Sequence, residues 1–243
     1  MRTKIWNRDV IKYIAMFTML LNHISTVFLE PGHILSEIFL DIGYFTAIVM
    51  CYFLVEGFRY TRSKKRYALR LGIFALLSEI PYCLAMTENG VLEFCGLNMM
   101  FTLLICFLIL LSLDRIANPV LKTAAVAGLI LLSLFSDWAL LAPVFTLLFA
   151  WAGQSKHKTA AAFAISALLF GLLNFAGGIG RFSAAANFLY ALGGMAGIAL
   201  AGIVIVCLYN GQRMERGRNF SKWFFYLFYP AHLLVLGIIR LCL

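Results

Sequence analysis

The chain predicts an all-α, polytopic transmembrane helix bundle of about nine spans (eight to ten), with a cytoplasmic N-terminus. Three observations lead there. The 243 residues are 63% hydrophobic and 13% charged, with a mean hydropathy of +0.90; a soluble domain carries roughly twice that charge. Apolar runs long enough to cross a bilayer core, about 20 residues each, recur along the whole chain. The 20 Lys and Arg residues fall almost entirely on alternate connections between those runs.

In order, the predicted spans are 10–29, 37–56, 67–86, 97–113, 120–136, 138–153, 159–175, 184–208 and 223–241. Only Ser136 and Asp137 separate the fifth from the sixth. Pro81 and Pro230 fall inside the third and ninth, where membrane helices tolerate a kink. The small-residue run 192–202 suits close helix packing. With the N-terminus inside, the cytoplasmic segments hold 17 of the 20 basic residues, and the acidic stretch Thr87 to Cys95 falls outside. That is the positive-inside distribution, and it places the chain N-in and C-out in a bacterial-type cytoplasmic membrane. No linker or internal repeat interrupts 1–243, which reads as a single transmembrane domain. The opening MRTKIWNRD lacks a small-residue cleavage site after its apolar run and reads as a cytoplasmic end.

A net charge of +9 does not imply nucleic acid here, because no basic-aromatic motif accompanies it. The six cysteines show neither metal nor redox spacing and read as small hydrophobes. The basic cytoplasmic face suits anionic lipid headgroups or, equally, a phosphorylated cofactor.

Ionisable groups inside a span are costly and mark the protein interior or a water-filled path. The first span carries Lys12, Asn22 and His23. Lys12 and His23, eleven positions apart, share a helix face about 16 Å apart along the axis. Glu79 lies at the depth of His23, in the outer half of the membrane. Asn98 and Thr102 open the fourth span at or just above that level. Asp41 is near the outer end of the second span, and Tyr229 and His232 are near the middle of the ninth. Lys12, Glu56 and Arg59 mark the inner surface. A histidine with a glutamate partner is a candidate general base with its orienting group; a polar clamp between helices is the plain alternative. His33 and His157 lie in connections and receive no role.

At these residues the chain resembles a known family. LNHIS in the first span, LVEGFRYTRSKKRYALRLGIFALLSEIPYCLA, NMMFTLL, LYNGQR and FFYLFYPAHLLVL are similar to the TraX family of integral membrane proteins, which includes an acetylase of the N-terminal amine of conjugative pilin. The cation, ten residues, then histidine of Lys12 and His23 also resembles the first-helix motif of the acyltransferase-3 family. That likeness implies His23 as the catalytic histidine and Lys12 as a contact on the CoA side. Asn22 stands where TraX relatives commonly have Asp, and Gly43-Tyr44 where they tend to have Gly-Arg. These departures leave the acceptor open.

The resulting expectation is a membrane acyltransferase. It would move an acyl group, acetyl above all, from cytoplasmic acyl-CoA to an amine or hydroxyl on a peptide, glycan or lipid. His23 would act as base, positioned by Glu79 or Asn22. Arg59, Arg62, Arg66 and Arg70, with Lys12 and Glu56, would line the acetyl-CoA side. Asp41, Asn98, Thr102, Tyr229 and His232 would bind the acceptor or the oxyanion. No metal is expected. The alternative is a proton-coupled transporter or flippase lined by Lys12, His23 and Glu79; a scaffold for another membrane protein comes third.

Overall fold

A computed structural model describes residues 5–87 and 93–243. Arg2, Lys4 and the middle of the acidic stretch Thr87 to Cys95 lie outside the described residues. Among the described residues, the regular structure is helical: α1 (Arg8–Phe28), α2 (Ile34–Tyr60), α3 (Lys64–Met86), α4 (Met99–Arg115), α5 (Pro119–Leu132), α6 (Leu141–Ala152), α7 (Lys156–Gly178), α8 (Ala184–Ile203) and α9 (Arg218–Cys242). A 3-10 turn, Ser133–Phe135, ends α5, and a π-turn, Val204–Leu208, ends α8.

Each predicted span falls on one of these helices. Six are long and apolar enough to cross a membrane: α1, α2, α3, α7, α8 with its π-turn, and α9. This marks an integral membrane protein. The 17 residues of α4, 14 of α5 and 12 of α6 rise only about 26, 21 and 18 Å, against a hydrocarbon core of ~30 Å. Pro81 and Pro230 both sit within continuous helices.

Asn and Ser start these helices by satisfying orphan amides of the first turn. Asn7 accepts from Val10, Ser63 from Arg66, Asn98 from Met100, Asn118 from Val120 and Leu121, Ser155 from Lys158 and Ser183 from Ala186. Pro119 follows Asn118 at the first helical position, where its missing N–H costs nothing.

The chain divides into two compact units. One holds the chain up to Val49 with Ala152–Phe225; the other holds Met50–Trp151 with Tyr226–Leu243. In the first unit, α1 and the start of α2 form an antiparallel hairpin joined by a polar ladder. The Thr18 and Thr46 hydroxyls lie 2.8 Å apart and share the Ala15 carbonyl, Asn22 donates to Leu40 O at 3.3 Å, and the Ser25 and Ser36 hydroxyls lie 2.8 Å apart. In an apolar medium such bonds hold helices together where hydrophobic burial cannot. The neighbouring α7–α8 pair is closed by glycine: a Cβ on Gly171 would strike Met195, and one on Gly202 would meet Phe163 at 2.9 Å.

In the second unit, Phe107 packs edge-on against Phe58 at 5.1 Å and lies 4.8 Å from Tyr67, while Tyr52 meets Phe149 at 5.4 Å. Such pairs add attraction beyond area burial. Lys64 of α3 bonds Asp114 of α4 at 2.7 Å and lies 4.2 Å over the Phe58 ring. That hydrogen bond holds the exposed Asp114 carboxyl below the usual range.

Candidate functional site

Within the second unit, α3, α4 and α9 bring Glu79, Asn98 and Tyr229 together, with Thr102 and His232 alongside. Glu79 Oε2 accepts from Asn98 twice, from the backbone N at 3.2 Å and from Nδ2 at 2.6 Å. Asn98 is fully buried; its Nδ2 also reaches the Ala75 carbonyl at 2.8 Å, while its Oδ1 caps α4. The other carboxylate oxygen, Glu79 Oε1, is buried and has no hydrogen-bond partner among the described residues. The next amide, Met99 N, donates to the buried Tyr229 hydroxyl at 3.2 Å. His232 lies 5.7 Å from the Tyr229 ring and stacks on Phe228 at 4.8 Å. Its Nδ1 is 2.7 Å from the Phe228 carbonyl. A carbonyl can only accept, so Nδ1 carries the hydrogen and Nε2 is the acceptor nitrogen of the neutral ring.

Asp137 and Tyr82, to which the sequence reading gave no role, belong to this cluster. The turn after α5 is pinned to the entry of α4: Leu97 N donates to Phe135 O and Asp137 N to Leu97 O, both at 2.8 Å. Thr102 Oγ1 donates to Asp137 O at 2.6 Å. The Asp137 charge is felt by both Tyr229 and Tyr82, as is that of Glu79. Burial pushes the Asp137 carboxyl up to about 6, the direction expected of a desolvated acid. Immediately after it, Trp138 and Leu140 hold φ of +56° and +60°, a left-handed backbone costly for side chains of that size. A lone acid between two apolar runs was the only trace of this turn in the sequence.

The first unit contains His23, Asn22, Asp41 and Lys12. His23 is buried. Asn22, expected to orient it, gives its amide to the Leu40 carbonyl, and its side chain occupies the space a Cβ on Gly43 would need. Asp41 lies against α8, where Cβ atoms on Gly193 and Gly197 would overlap its carboxylate and its backbone carbonyl. Lys12 sits 4.9 Å over the Phe225 ring. Asp9, which the sequence reading did not single out, accepts from Met214 N at 2.8 Å and Ser221 Oγ at 2.7 Å.

The basic candidates of the second unit divide. Arg59 donates to the Phe149 and Ala150 carbonyls at 3.2 and 3.4 Å and so covers the C-terminal end of α6, where a cation meets the negative end of the helix dipole. Arg62 and Arg66 are exposed. Arg70 lies 5.6 Å from the Tyr67 ring, with its Nε buried and unpaired among the described residues. Glu56 is half-buried on α2. No group of three His, Cys, Asp or Glu side chains among the described residues converges as a metal centre requires.

An integral membrane protein of helices, with a half-buried carboxylate held by an asparagine whose neighbouring amide meets a buried tyrosine hydroxyl, is the class that fold and site define. The model of the TraX protein family matches residues 7–240, and the chain belongs to that family. It is 29% identical over 240 residues to a probable fimbrial assembly protein FimC, serogroup H1, of Dichelobacter nodosus, covering 93% of this chain and 92% of that one. No solved structure matches.

These similarities correct the functional expectation. They do not support an acyltransferase of open acceptor class with His23 as base, nor its transporter or flippase alternative: the matching family is that of the TraX protein, and the relative is named for fimbrial assembly.

Proposed function

We propose that this protein serves pilus or fimbrial assembly from within the membrane, as an acetyltransferase acting on the amine of a pilin subunit. The observation that carries the reading is Glu79 Oε1, buried beside Asn98 and without a donor among the described residues. An amine N–H suits that oxygen, and a carboxylate so placed can hold the nitrogen and accept the proton it must lose before attacking an acyl group. Tyr229 borders the same spot and feels the charges of both Asp137 and Glu79. The relative's fimbrial-assembly name and the pilin-acetylating member of the family support pilin as the partner.

Acetyl-CoA is the donor we infer, with the exposed Arg62 and Arg66 as phosphate contacts. For topology we infer N-in and C-out, supported by 17 of the 20 basic residues falling on one side.

The test is transfer of radiolabel from acetyl-CoA to a pilin N-terminal peptide by the detergent-purified protein. Wild type should label the free peptide and leave its N-terminally blocked form unlabelled, and Glu79→Gln should lose the activity while keeping its fold. Equal labelling of the blocked peptide, or full activity in Glu79→Gln, overturns the assignment.

A further inference from the structure

Thr102 stands in the first turn of α4 and is fully buried, so the acceptor contact expected of it from the sequence is not one it can make. A threonine inside a helix ordinarily turns its hydroxyl back to the carbonyl four residues earlier. Here that carbonyl, Asn98 O, is 3.5 Å away, and Asp137 O is only 2.6 Å away. The single hydrogen of the hydroxyl therefore goes to Asp137.

The other backbone group of Asp137 reaches the same place. Asp137 N donates to Leu97 O at 2.8 Å. That carbonyl belongs to the same peptide unit as Asn98 N, which donates to Glu79 Oε2 at 3.2 Å. A peptide unit is planar and stiff, so its carbonyl and its N–H turn together. One plane thus joins the Asp137 turn on one side to the Glu79 carboxylate on the other. The turn is strained: Trp138 and Leu140 hold φ of +56° and +60°, which side chains of that size adopt only where surrounding contacts enforce it. Its far end is closed by the buried Ser133, whose Oγ accepts from Leu140 N at 3.2 Å and donates to Ile130 O at 2.6 Å.

We propose that Thr102 is a positioning residue, which holds Asp137 O, keeps the strained turn seated, and through the Leu97–Asn98 peptide sets where Glu79 presents Oε1. It rests on the reading of Glu79 given above, as the group that holds the acceptor amine. Without the hydroxyl, Asp137 O loses its donor and the turn relaxes away from its left-handed residues. The Leu97–Asn98 plane rotates with it, and Asn98 carries Glu79 out of place. The donor side is untouched, because Arg66 precedes Glu79 by 13 positions, about 20 Å of helix.

The first test is kinetic. Acetyl transfer to the pilin N-terminal peptide by the detergent-purified full chain is followed at varied acetyl-CoA. Thr102→Val keeps the shape and removes the hydroxyl. Its kcat should fall on the order of 10- to 100-fold, as an ångström of misplacement allows, with KM for acetyl-CoA unchanged. Thr102→Ser, which keeps the donor, should restore the rate. Leu140→Gly alone should leave the rate as it is, since glycine takes a positive φ without strain. Added to Thr102→Val, it should recover most of the loss. Wild-type kcat in Thr102→Val, an equal loss in Thr102→Ser, or no recovery with Leu140→Gly overturns the positioning role.

The second test needs no turnover. Amide hydrogen exchange, read by mass spectrometry, should speed up from Leu97 to Met99 in Thr102→Val and return to the wild-type rate when Leu140→Gly is added. Unchanged exchange in Thr102→Val overturns the link whatever the kinetics. A wild-type chain that transfers no acetyl group, with faster exchange in Thr102→Val, removes the reading of Glu79 and supports the link from Thr102 to its carboxylate. Should Thr102→Val fail to fold, Ser133→Ala loosens the same turn from its far end. Faster exchange from Leu97 to Met99 with a lower kcat then supports the link, and wild-type values of both overturn it.

Discussion

Asn98 grips one oxygen of Glu79 with both its backbone N–H and its side-chain amide, at 3.2 and 2.6 Å. The same side chain caps α4 through Oδ1. At an ordinary helix start Asn and Asp are interchangeable; here they are not. Asn98→Asp keeps the cap and sets a second carboxylate against Glu79 in place of a donor. Loss of a bond to a charged group that stays buried costs about 1.5–3 kcal/mol. We expect Asn98→Asp to melt well below wild type in detergent, and Glu79→Gln in the same chain to restore most of the loss. Wild-type melting of Asn98→Asp would show that the contact carries no stability.

Gly43 gives the first unit a sharper test. A Cβ there has no room because the Asn22 side chain already fills the site. Overpacking of this kind costs roughly 1–3 kcal/mol. Gly43→Ala should therefore lower thermal stability by that order, and Asn22→Ala added to it should recover the steric part, although the Leu40 hydrogen bond is lost. Additive effects of the two substitutions would mean that the residues do not share the space.

Asp137 predicts a pH dependence. Its carboxyl is raised by burial from 3.8 to about 6, so the folded state binds the proton more tightly than the unfolded chain does. The stability this contributes is complete below the unfolded value near pH 4 and is lost as pH rises through 6. Melting temperature, followed from pH 4 to 7, should fall across that window more in wild type than in Asp137→Asn. Parallel profiles would place the titration elsewhere.

The helices and their starts were legible because apolar length and a capping Asn or Ser are local features. All nine predicted segments fall on helices, and Asn7, Ser63, Asn98 and Asn118 stand where the apolar runs begin. The polar residues at membrane depth were legible too, since any of them is conspicuous in an apolar run. Their partners were not. Asn22 reads as the neighbour of His23, yet its amide faces away along α2 because Gly43 leaves it space there. Thr102 meets Asp137 from 35 positions away, through a turn whose left-handed Trp138 and Leu140 break every local rule. Helix rotation and loop closure decide such pairs, and neither is written in spacing.

Asp9 explains why LYNGQR stands out. The motif lies beside the N-terminus: Trp6 N donates to Leu208 O at 3.1 Å, Asn210 N to Trp6 O at 2.9 Å, and Arg8 N to Gln212 O at 2.8 Å. Gly211 takes a φ of +78° to make the turn, a conformation glycine adopts without penalty. Asp9 then fastens the loop leading into α9, accepting from Met214 N and from Ser221 Oγ in the first turn of that helix. Asp9→Ala removes both acceptors and leaves the Trp6–Tyr209 pairing intact, so the release should stay local. Two bonds to one carboxylate are together worth about 3 kcal/mol, which corresponds to on the order of 100-fold faster amide exchange where they close the backbone. Hydrogen exchange read by mass spectrometry should show that acceleration at Met214 and its neighbours, with α3 and α4 unchanged. Exchange at Met214 equal to wild type would show that the backbone pairing alone holds the loop, and acceleration spread across α3 and α4 would make Asp9 a global support instead of a latch.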